Sequence, residues 1–180
     1  MRNIISESVA IPEGISCEVK DGNIVCSKGG VSLSRVLEGM GIVVTVKQGV
    51  ISIECAAGNK MHRSKVQTLK AHLVNMFVGL QKAFVYSLEA CNVHFPMTMK
   101  VEKGFLIINN FLGEKTPRKA KILEGVVIEV KGQKITLTSA DREAAGQTAA
   151  NIEKATKIRN RDRRVFQDGI YITAKPGRNA

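Results

Sequence analysis

A run of cations near the C-terminus is the part of the sequence best suited to chemistry with an external partner. Residues 157–164 (KIRNRDRR) carry five cationic side chains and one carboxylate, and no apolar period would bury them. The cations are Lys157, Arg159, Arg161, Arg163 and Arg164. Clustered guanidinium and ammonium groups bind phosphates and other anions. The run therefore predicts an anionic partner, with a solvated basic loop as the alternative.

The composition of the whole chain supports an anionic partner. Across 180 residues the formal net charge is +11, which favours nucleic acid or an acidic membrane surface. A membrane is the weaker candidate, because no run of about 18 apolar residues occurs and the first residues lack the apolar core of a signal peptide. We therefore expect a cytoplasmic protein without membrane contact. The apolar share of 44% suffices for a packed core.

The sequence contains no set of residues that indicates catalysis or metal binding. Its four cysteines form no Cys-x-x-Cys pair, and its three histidines have no ligand spacing near them. No Ser/His/Asp or Cys/His motif and no nucleotide-binding glycine pattern is present. We therefore predict a protein that is not an enzyme and that holds no metal or cofactor. Cys17 and Cys26 can face each other across a hairpin, but the expected state is two reduced, buried thiols.

The first half of the chain shows strand periodicity and then helix periodicity. Residues 15–27 and 42–55 alternate apolar and polar side chains around turn signals, which predicts two β-hairpins. From Lys60, apolar residues recur at three- and four-residue spacing over about twenty residues, which predicts an amphipathic helix. Its apolar stripe comprises Val66, Leu69, Leu73, Met76, Phe77 and Leu80. Residues 84–90 predict a further strand.

The second half repeats the order of the first. The matching pairs are 18–24 with 100–106, 41–47 with 125–131, 50–53 with 134–137, and 84–89 with 166–171. The helix from Lys60 corresponds to a second helix, which Asp141 is placed to cap. The sequence thus predicts an α+β fold of two tandem, internally duplicated domains, each of antiparallel β-strands packed with one long α-helix. Domain one covers residues 1–82, domain two covers residues 83–180, and each has the order β,β,β,β,α,β.

The two copies differ in the features that bear on function. The second helix, residues 141–156, replaces bulky residues by alanine and carries Gln147, Thr148 and Asn151. Gln147 and Asn151 are four residues apart and form a hydrogen-bonding face. A second basic stretch, residues 111–121, is predicted to be a loop, because it contains Pro117. Its cations are Lys115, Arg118, Lys119 and Lys121. We infer that the second domain is specialised for an anion.

Three motifs in the second half resemble a known family. They are NNFLGEKTPR (109–118), GQTAANIE (146–153) and RRVFQDGIYI (163–172). Together they are similar to large-subunit ribosomal protein six in the universal naming, called nine in eukaryotes, in its archaeal and eukaryotic form. Shorter segments of the first half, such as KMHR (60–63), extend the resemblance over nearly the whole chain.

The resemblance implies a structural constituent of the large ribosomal subunit. It implies binding to large-subunit rRNA near the translation-factor binding region and the sarcin-ricin loop, mainly through domain two. The implied partners are rRNA, neighbouring ribosomal proteins and, as a further candidate, translation factors, with one copy per ribosome. The implied rRNA-contacting residues are Lys115, Arg118, Lys119, Gln147, Thr148, Asn151, Arg159, Arg161, Arg163 and Arg164. The alternative is a non-ribosomal basic RNA-binding or RNA-chaperone protein, which would use the same residues.

Overall fold

The chain folds into two compact units, each built from antiparallel strands and one long helix. The computed structural model describes residues 5–20, 22–37, 41–47, 49–55, 58–93, 95–162 and 164–177. Unit 1 spans residues 1–82 and unit 2 spans residues 83–180. Within the described ranges, neither helix is long and apolar enough to cross a membrane.

Unit 1 contains two three-stranded sheets and one helix. The strands are β1 (Ile5–Ala10), β2 (Ser16–Lys20), β3 (Asn23–Lys28), β4 (Val31–Val36), β5 (Val43–Lys47) and β6 (Val50–Cys55), and the helix is α1 (Lys60–Gln81). The sheets have the orders β1-β6-β5 and β2-β3-β4. Helix α1 begins where predicted, because the Asn59 side chain accepts a hydrogen bond of 2.9 Å from the His62 amide.

The core of unit 1 lies between α1 and the strands. Val66, Leu69 and Leu73 of α1 are fully buried, and Phe77 is nearly so. They belong to one apolar cluster with strand residues such as Ile53. The predicted stripe is therefore the face of α1 that packs on the sheets.

Unit 2 has the same plan with one strand more. Its elements are β7 (Phe84–Cys91), β8 (Thr98–Glu102), β9 (Phe105–Asn109), a short 3₁₀-helix (Phe111–Gly113), β10 (Arg118–Lys121), β11 (Val127–Lys131), β12 (Lys134–Ser139), α2 (Arg142–Ala155) and β13 (Gly169–Ala174). The sheets have the orders β11-β12-β7-β13 and β10-β9-β8. Asp141 caps α2 as predicted, accepting a 2.8 Å hydrogen bond from the Glu143 amide.

Small residues let α2 pack closely on its strands. Ala145, Ala149 and Ile152 are fully buried in the core of unit 2. Gly146 has a specific reason to lack a side chain, because a Cβ there would lie 3.1 Å from the Tyr86 hydroxyl oxygen. The alanines that predicted a slim helix therefore serve close packing against the strands, in addition to the polar face on the other side of α2.

The sheet orders confirm the α+β class and the duplicated arrangement. The order β1-β6-β5 recurs as β7-β12-β11, and β2-β3-β4 recurs as β8-β9-β10.

One alignment in the predicted repeat is wrong. Residues 84–89 belong to β7, the first strand of the second copy, so their counterpart is β1 and not residues 166–171. Strand β13 begins only at Gly169 and pairs with β7 as an addition to the plan. The predicted order β,β,β,β,α,β also omits strands that the structure contains. The error arose because residues 84–89 and 166–171 are both short, largely apolar and begin with Phe, whereas strand pairing decides which strands are equivalent.

Candidate nucleic-acid interface

The basic segment 157–164 connects α2 to β13, and its first residues are fixed to the core of unit 2. The Ile158 side chain is buried, whereas Lys157 and Arg159 on either side of it are exposed. The buried Thr156 hydroxyl accepts a 2.9 Å hydrogen bond from the Ile170 amide of β13. The segment therefore starts from an anchored position, with its cations directed to solvent.

The arginines of this segment differ in their surroundings. Arg159 is exposed. The Arg161 guanidinium lies over the Phe166 ring, 4.8 Å from its centroid, in a cation–π contact. Arg164 contacts Asp162, with 3.0 Å between its guanidinium nitrogen and the carboxylate. Arg163 lies outside the described residues, so its place in the candidate site stays a prediction.

Asp162 neutralises part of the segment's charge. Its carboxylate accepts hydrogen bonds from the Arg164 guanidinium and from the Arg164 amide, at 2.9 Å for the amide. These bonds lower the pKa of Asp162 below its ordinary value, with the guanidinium contributing most. Arg164 is therefore less available to bind a phosphate than Arg159 or Arg161, because Asp162 already pairs with it.

The second basic stretch is not a loop throughout, which corrects the sequence analysis. Residues 118–121 form β10, which pairs antiparallel with β9. Only residues 114–117 are irregular, after the short 3₁₀-helix. The turn there contains left-handed backbone at Asn110, Leu112 and Gly113, and the Asn110 amide group donates a 3.0 Å hydrogen bond to the Pro96 carbonyl. Pro117 excludes a helix, as predicted, but does not exclude an adjoining strand.

Arg118 is directed inward and joins the two basic stretches. Its guanidinium donates to both Glu114 carboxylate oxygens, at 2.8 and 2.6 Å. It also donates to the carbonyl oxygens of Ala155 at 2.9 Å and Lys157 at 3.4 Å. The Phe111 ring lies beneath it, with the guanidinium carbon 4.2 Å from the ring centroid. The five residues make one contact set, which we call the Arg118 clamp.

The clamp has two physical consequences. Arg118 satisfies carbonyls at the C-terminal end of α2, where helical hydrogen bonds run out. It also lowers the pKa of Glu114 below the ordinary value, chiefly by its hydrogen bonds, and the charge of Arg161 acts in the same direction. The clamp brings the 111–118 stretch beside the start of the 157–164 segment, a relation that the sequence could not reveal.

Arg118 itself is a poor candidate for direct contact with an anion. Its side chain is 27% exposed, and four hydrogen bonds within unit 2 occupy most of its donors. Its rRNA contact stays a prediction, while these hydrogen bonds give Arg118 a role in positioning other residues.

The polar face of α2 is present but is partly used inside the protein. The Gln147 amide group donates to the Asn151 side-chain oxygen at 2.9 Å, and the Asn151 amide group donates to the Lys121 carbonyl at 3.1 Å. Gln147 is exposed and Asn151 is half-buried. The Asn151 hydrogen bond holds β10 to α2, while the Gln147 side chain remains exposed to solvent.

Two further predicted contact residues lie elsewhere. Thr148 is fully buried, and its hydroxyl accepts a 3.2 Å hydrogen bond from the Leu123 amide, so the prediction that its side chain faces rRNA is wrong. Helical spacing from Gln147 did not reveal this, because Thr148 belongs to the core stripe. Lys119 is exposed, but strand alternation turns it to the opposite face of β10 from Arg118.

Sequence reasoning overlooked residues that hold β13 in place. Asp168 is buried, and its carboxylate accepts a 2.7 Å hydrogen bond from the Val93 amide. The Tyr171 hydroxyl donates to the Gln167 carbonyl at 3.3 Å, which leaves Tyr171 as a boundary residue. The QDG motif (167–169) is therefore structural. A carboxylate two residues before the apolar run 170–172 was the available signal for the burial of Asp168.

Five exposed polar or cationic side chains of unit 2 suit contact with an anion. We call this set the basic face, and define it by the exposed side chains of Lys115, Gln147, Lys157, Arg159 and Arg161. Among the residues for which positions are given, no cluster of three metal-ligating side chains occurs.

Comparison with known proteins bears on this unit and on the whole chain. The profile of the family described as Ribosomal protein L6 matches residues 95–169, which include the Arg118 clamp, α2 and the basic segment. The chain is 40% identical to large ribosomal subunit protein uL6 of Methanococcus vannielii, over 97% of this chain and 96% of the relative. The chain belongs to the ribosomal protein L6 family. It is also 38% identical to uL6 of Methanobrevibacter smithii, over 95% of this chain and 96% of the relative. Ribosomal protein L6 is a structural and non-enzymatic family, which confirms the prediction that the chain is not an enzyme.

Proposed function

We propose that this chain is a structural constituent of the large ribosomal subunit and binds large-subunit rRNA mainly through unit 2. The Arg118 clamp is the observation that carries the proposal. It holds two basic stretches, far apart in sequence, in one fixed arrangement. A solvated basic loop would need no such arrangement. The relatives' names, which place them in the large ribosomal subunit, give independent support.

The basic face binds rRNA by neutralising backbone phosphates. Lys115, Lys157, Arg159 and Arg161 each displace condensed counterions when they meet phosphates, and each contact steepens the salt dependence by roughly 0.7 to 0.9 in log–log slope. Arginines add forked hydrogen bonds to phosphate oxygens. The affinity should therefore fall steeply as salt rises.

Contacts beneath the cations hold the backbone in place before RNA binds, which lowers the entropic cost of binding. The Arg118 clamp, the buried Ile158 side chain and the Thr156 hydroxyl bond fix the backbone that carries the cations. A surface prepared in this way loses less conformational entropy on binding. The exposed Gln147 side chain supplies an amide for a 2′-hydroxyl, the group that marks the shallow groove of structured RNA.

The finer parts of the proposal concern place and partners. We place the binding site near the translation-factor binding region, in the vicinity of the sarcin-ricin loop. The motifs that resemble the archaeal and eukaryotic family support this location. One copy per large subunit, contacts with neighbouring ribosomal proteins, and access to translation factors follow from the same location. The compartment is the cytoplasm.

The proposal is tested by high-salt sucrose gradients of an affinity-tagged full chain expressed in its native cells. Hydroxyl-radical footprinting of the rRNA follows on the recovered subunits. We expect the chain to stay with large subunits at salt concentrations that strip loosely bound RNA-binding proteins, and to protect nucleotides around the sarcin-ricin loop. Release at moderate salt, with protection scattered over the rRNA, would support the non-ribosomal RNA-binding alternative instead.

A further inference from the structure

Two cysteines of unit 1 face each other on neighbouring strands. Cys17 of β2 and Cys26 of β3 are direct partners in the antiparallel register. Their sulfur atoms are 2.8 Å apart, with the Cys17 thiol donating. Both thiols are free. The basic face lies in unit 2, so this pair is independent of the proposed rRNA contact.

The register places the pair at the kind of position that a disulfide can span. Lys20 and Asn23 are the last partners before the turn, and in a two-residue hairpin such closing residues are hydrogen-bonded to each other. Pairs alternate from there, so Cys17 and Cys26, three steps further on, form a non-hydrogen-bonded pair. The Cα atoms of such pairs are about 4.5 Å apart, inside the range that disulfides occupy. The strands therefore need little movement to allow a bond.

Burial decides what can happen at these thiols. Cys26 is fully buried in the core of unit 1, and Cys17 is half-buried at its edge. A small reagent can reach Cys17 from solvent, whereas an adduct on Cys26 has no room in a packed core. Cys91, by contrast, is exposed. The modification that fits both sulfurs of the pair is a bond between them.

We propose that Cys17 and Cys26 are a redox modification site, which forms an intramolecular disulfide by exchange with a small-molecule disulfide. The Cys17 thiolate attacks one sulfur of the small disulfide, forms a mixed disulfide and displaces one thiolate. The Cys26 thiol loses its proton and its sulfur attacks Cys17 Sγ, which releases the second small thiolate. Two protein thiols are oxidised by two electrons, the small disulfide is reduced to two thiols, and the two protons end on those thiols. A reducing thiol reverses the sequence.

The environment makes this a slow site at neutral pH. Burial raises the pKa of the Cys17 thiol, and burial also raises the pKa of Cys26. Thiol–disulfide exchange proceeds through the thiolate, so its rate rises with the thiolate fraction. The rate of bond formation should increase about tenfold for each pH unit from neutral pH upward, as long as the pH stays below the pKa of Cys17.

The test treats the folded full chain with oxidised glutathione across a range of pH, followed by rapid alkylation and peptide mass mapping. We expect the peptides of Cys17 and Cys26 to be joined with the loss of two hydrogen atoms and no retained glutathione. Cys91 is the internal control, because as an exposed single thiol it should retain glutathione. In the Cys17→Ser variant, Cys26 should stay unmodified.

Either of two results would overturn the proposal. One is that Cys17 and Cys26 both remain reduced at every pH at which Cys91 reacts completely with glutathione. The other is separate glutathione adducts on Cys17 and Cys26.

Discussion

At the scale of single residues, Arg118 organises the candidate interface by satisfying polar groups within unit 2. It bridges the Glu114 carboxylate and the carbonyl oxygens of Ala155 and Lys157. An exposed ion pair contributes at most about 1 kcal/mol to stability. A forked arginine that also caps helix carbonyls contributes more to orientation than to the free energy of unfolding.

Replacing Arg118 by Lys separates positioning from phosphate contact. Lys keeps the charge but cannot donate in a fork to Glu114 and reach both carbonyls. We expect the affinity for rRNA to fall about tenfold, which corresponds to about 1.4 kcal/mol, while the salt slope stays at the wild-type value. Filter binding over a range of salt concentrations measures both quantities.

The matched control is Arg159→Lys, which keeps the charge at an exposed position and leaves the clamp intact, so that it loses only the forked bond to phosphate and should lower the affinity less than Arg118→Lys does. An Arg118→Lys variant that binds like the wild type, together with an Arg118→Gln variant of lower salt slope, would show that Arg118 contacts phosphate directly.

At the scale of elements, α2 shows how packing and surface chemistry share one helix. Its alanines bring the backbone close to the sheets, and the buried Thr148 hydroxyl serves the Leu123 amide. Gly146 makes room for the Tyr86 hydroxyl. At an exposed helix position, replacing Gly by Ala stabilises the helix by about 1 kcal/mol. At Gly146 the contact with Tyr86 decides whether the same replacement stabilises or destabilises unit 2.

We expect Gly146→Ala to destabilise unit 2 by about 1 kcal/mol net, because overpacking costs about 1 to 3 kcal/mol and exceeds the gain in helix propensity. The reason is the 3.1 Å approach of the new Cβ to the Tyr86 hydroxyl oxygen. Urea unfolding of the full chain, followed by a probe in unit 2, measures the change.

The double variant Gly146→Ala with Tyr86→Phe removes the hydroxyl and should recover most of the lost stability relative to Tyr86→Phe alone. A Gly146→Ala variant more stable than the wild type would mean that Tyr86 moves aside without cost.

The elements themselves were largely predictable from the sequence, because most obey a single period. Helix α1 follows its apolar stripe, and the Asp141 cap of α2 follows from local chemistry. Pairing partners were not predictable where short strands resemble each other, which is why β7 was matched to residues 166–171 instead of to β1. The burial of Thr148 was missed because a polar residue on a helix suggests exposure. In the structure its hydroxyl is accommodated in the core by a hydrogen bond from the Leu123 amide.

At the scale of the whole molecule, a duplicated fold carries two copies with different surfaces. The second copy has the clamp, the basic segment and the added strand β13, whereas α1 of the first copy presents exposed cations such as Lys60 and Arg63 on a helix. Comparing the two halves of the sequence located the basic segment in the second copy, because the charge of each side chain can be read from the sequence, but it did not identify β13 as an addition. It could not show that residues 118 and 155–157 meet, because that contact depends on three-dimensional packing alone.

The most direct test of the account compares two double variants of the full chain in rRNA binding across salt concentrations. Arg159→Gln with Arg161→Gln removes two charges from the basic face, and Lys60→Gln with Arg63→Gln removes two exposed charges from unit 1. Both should melt close to the wild-type temperature. We predict that the first variant lowers the log–log salt slope by about 1.5, from two contacts of roughly 0.7 to 0.9 each, while the second leaves the slope unchanged. An unchanged slope in the first variant and a reduced slope in the second would contradict the account and make unit 1 the anchor.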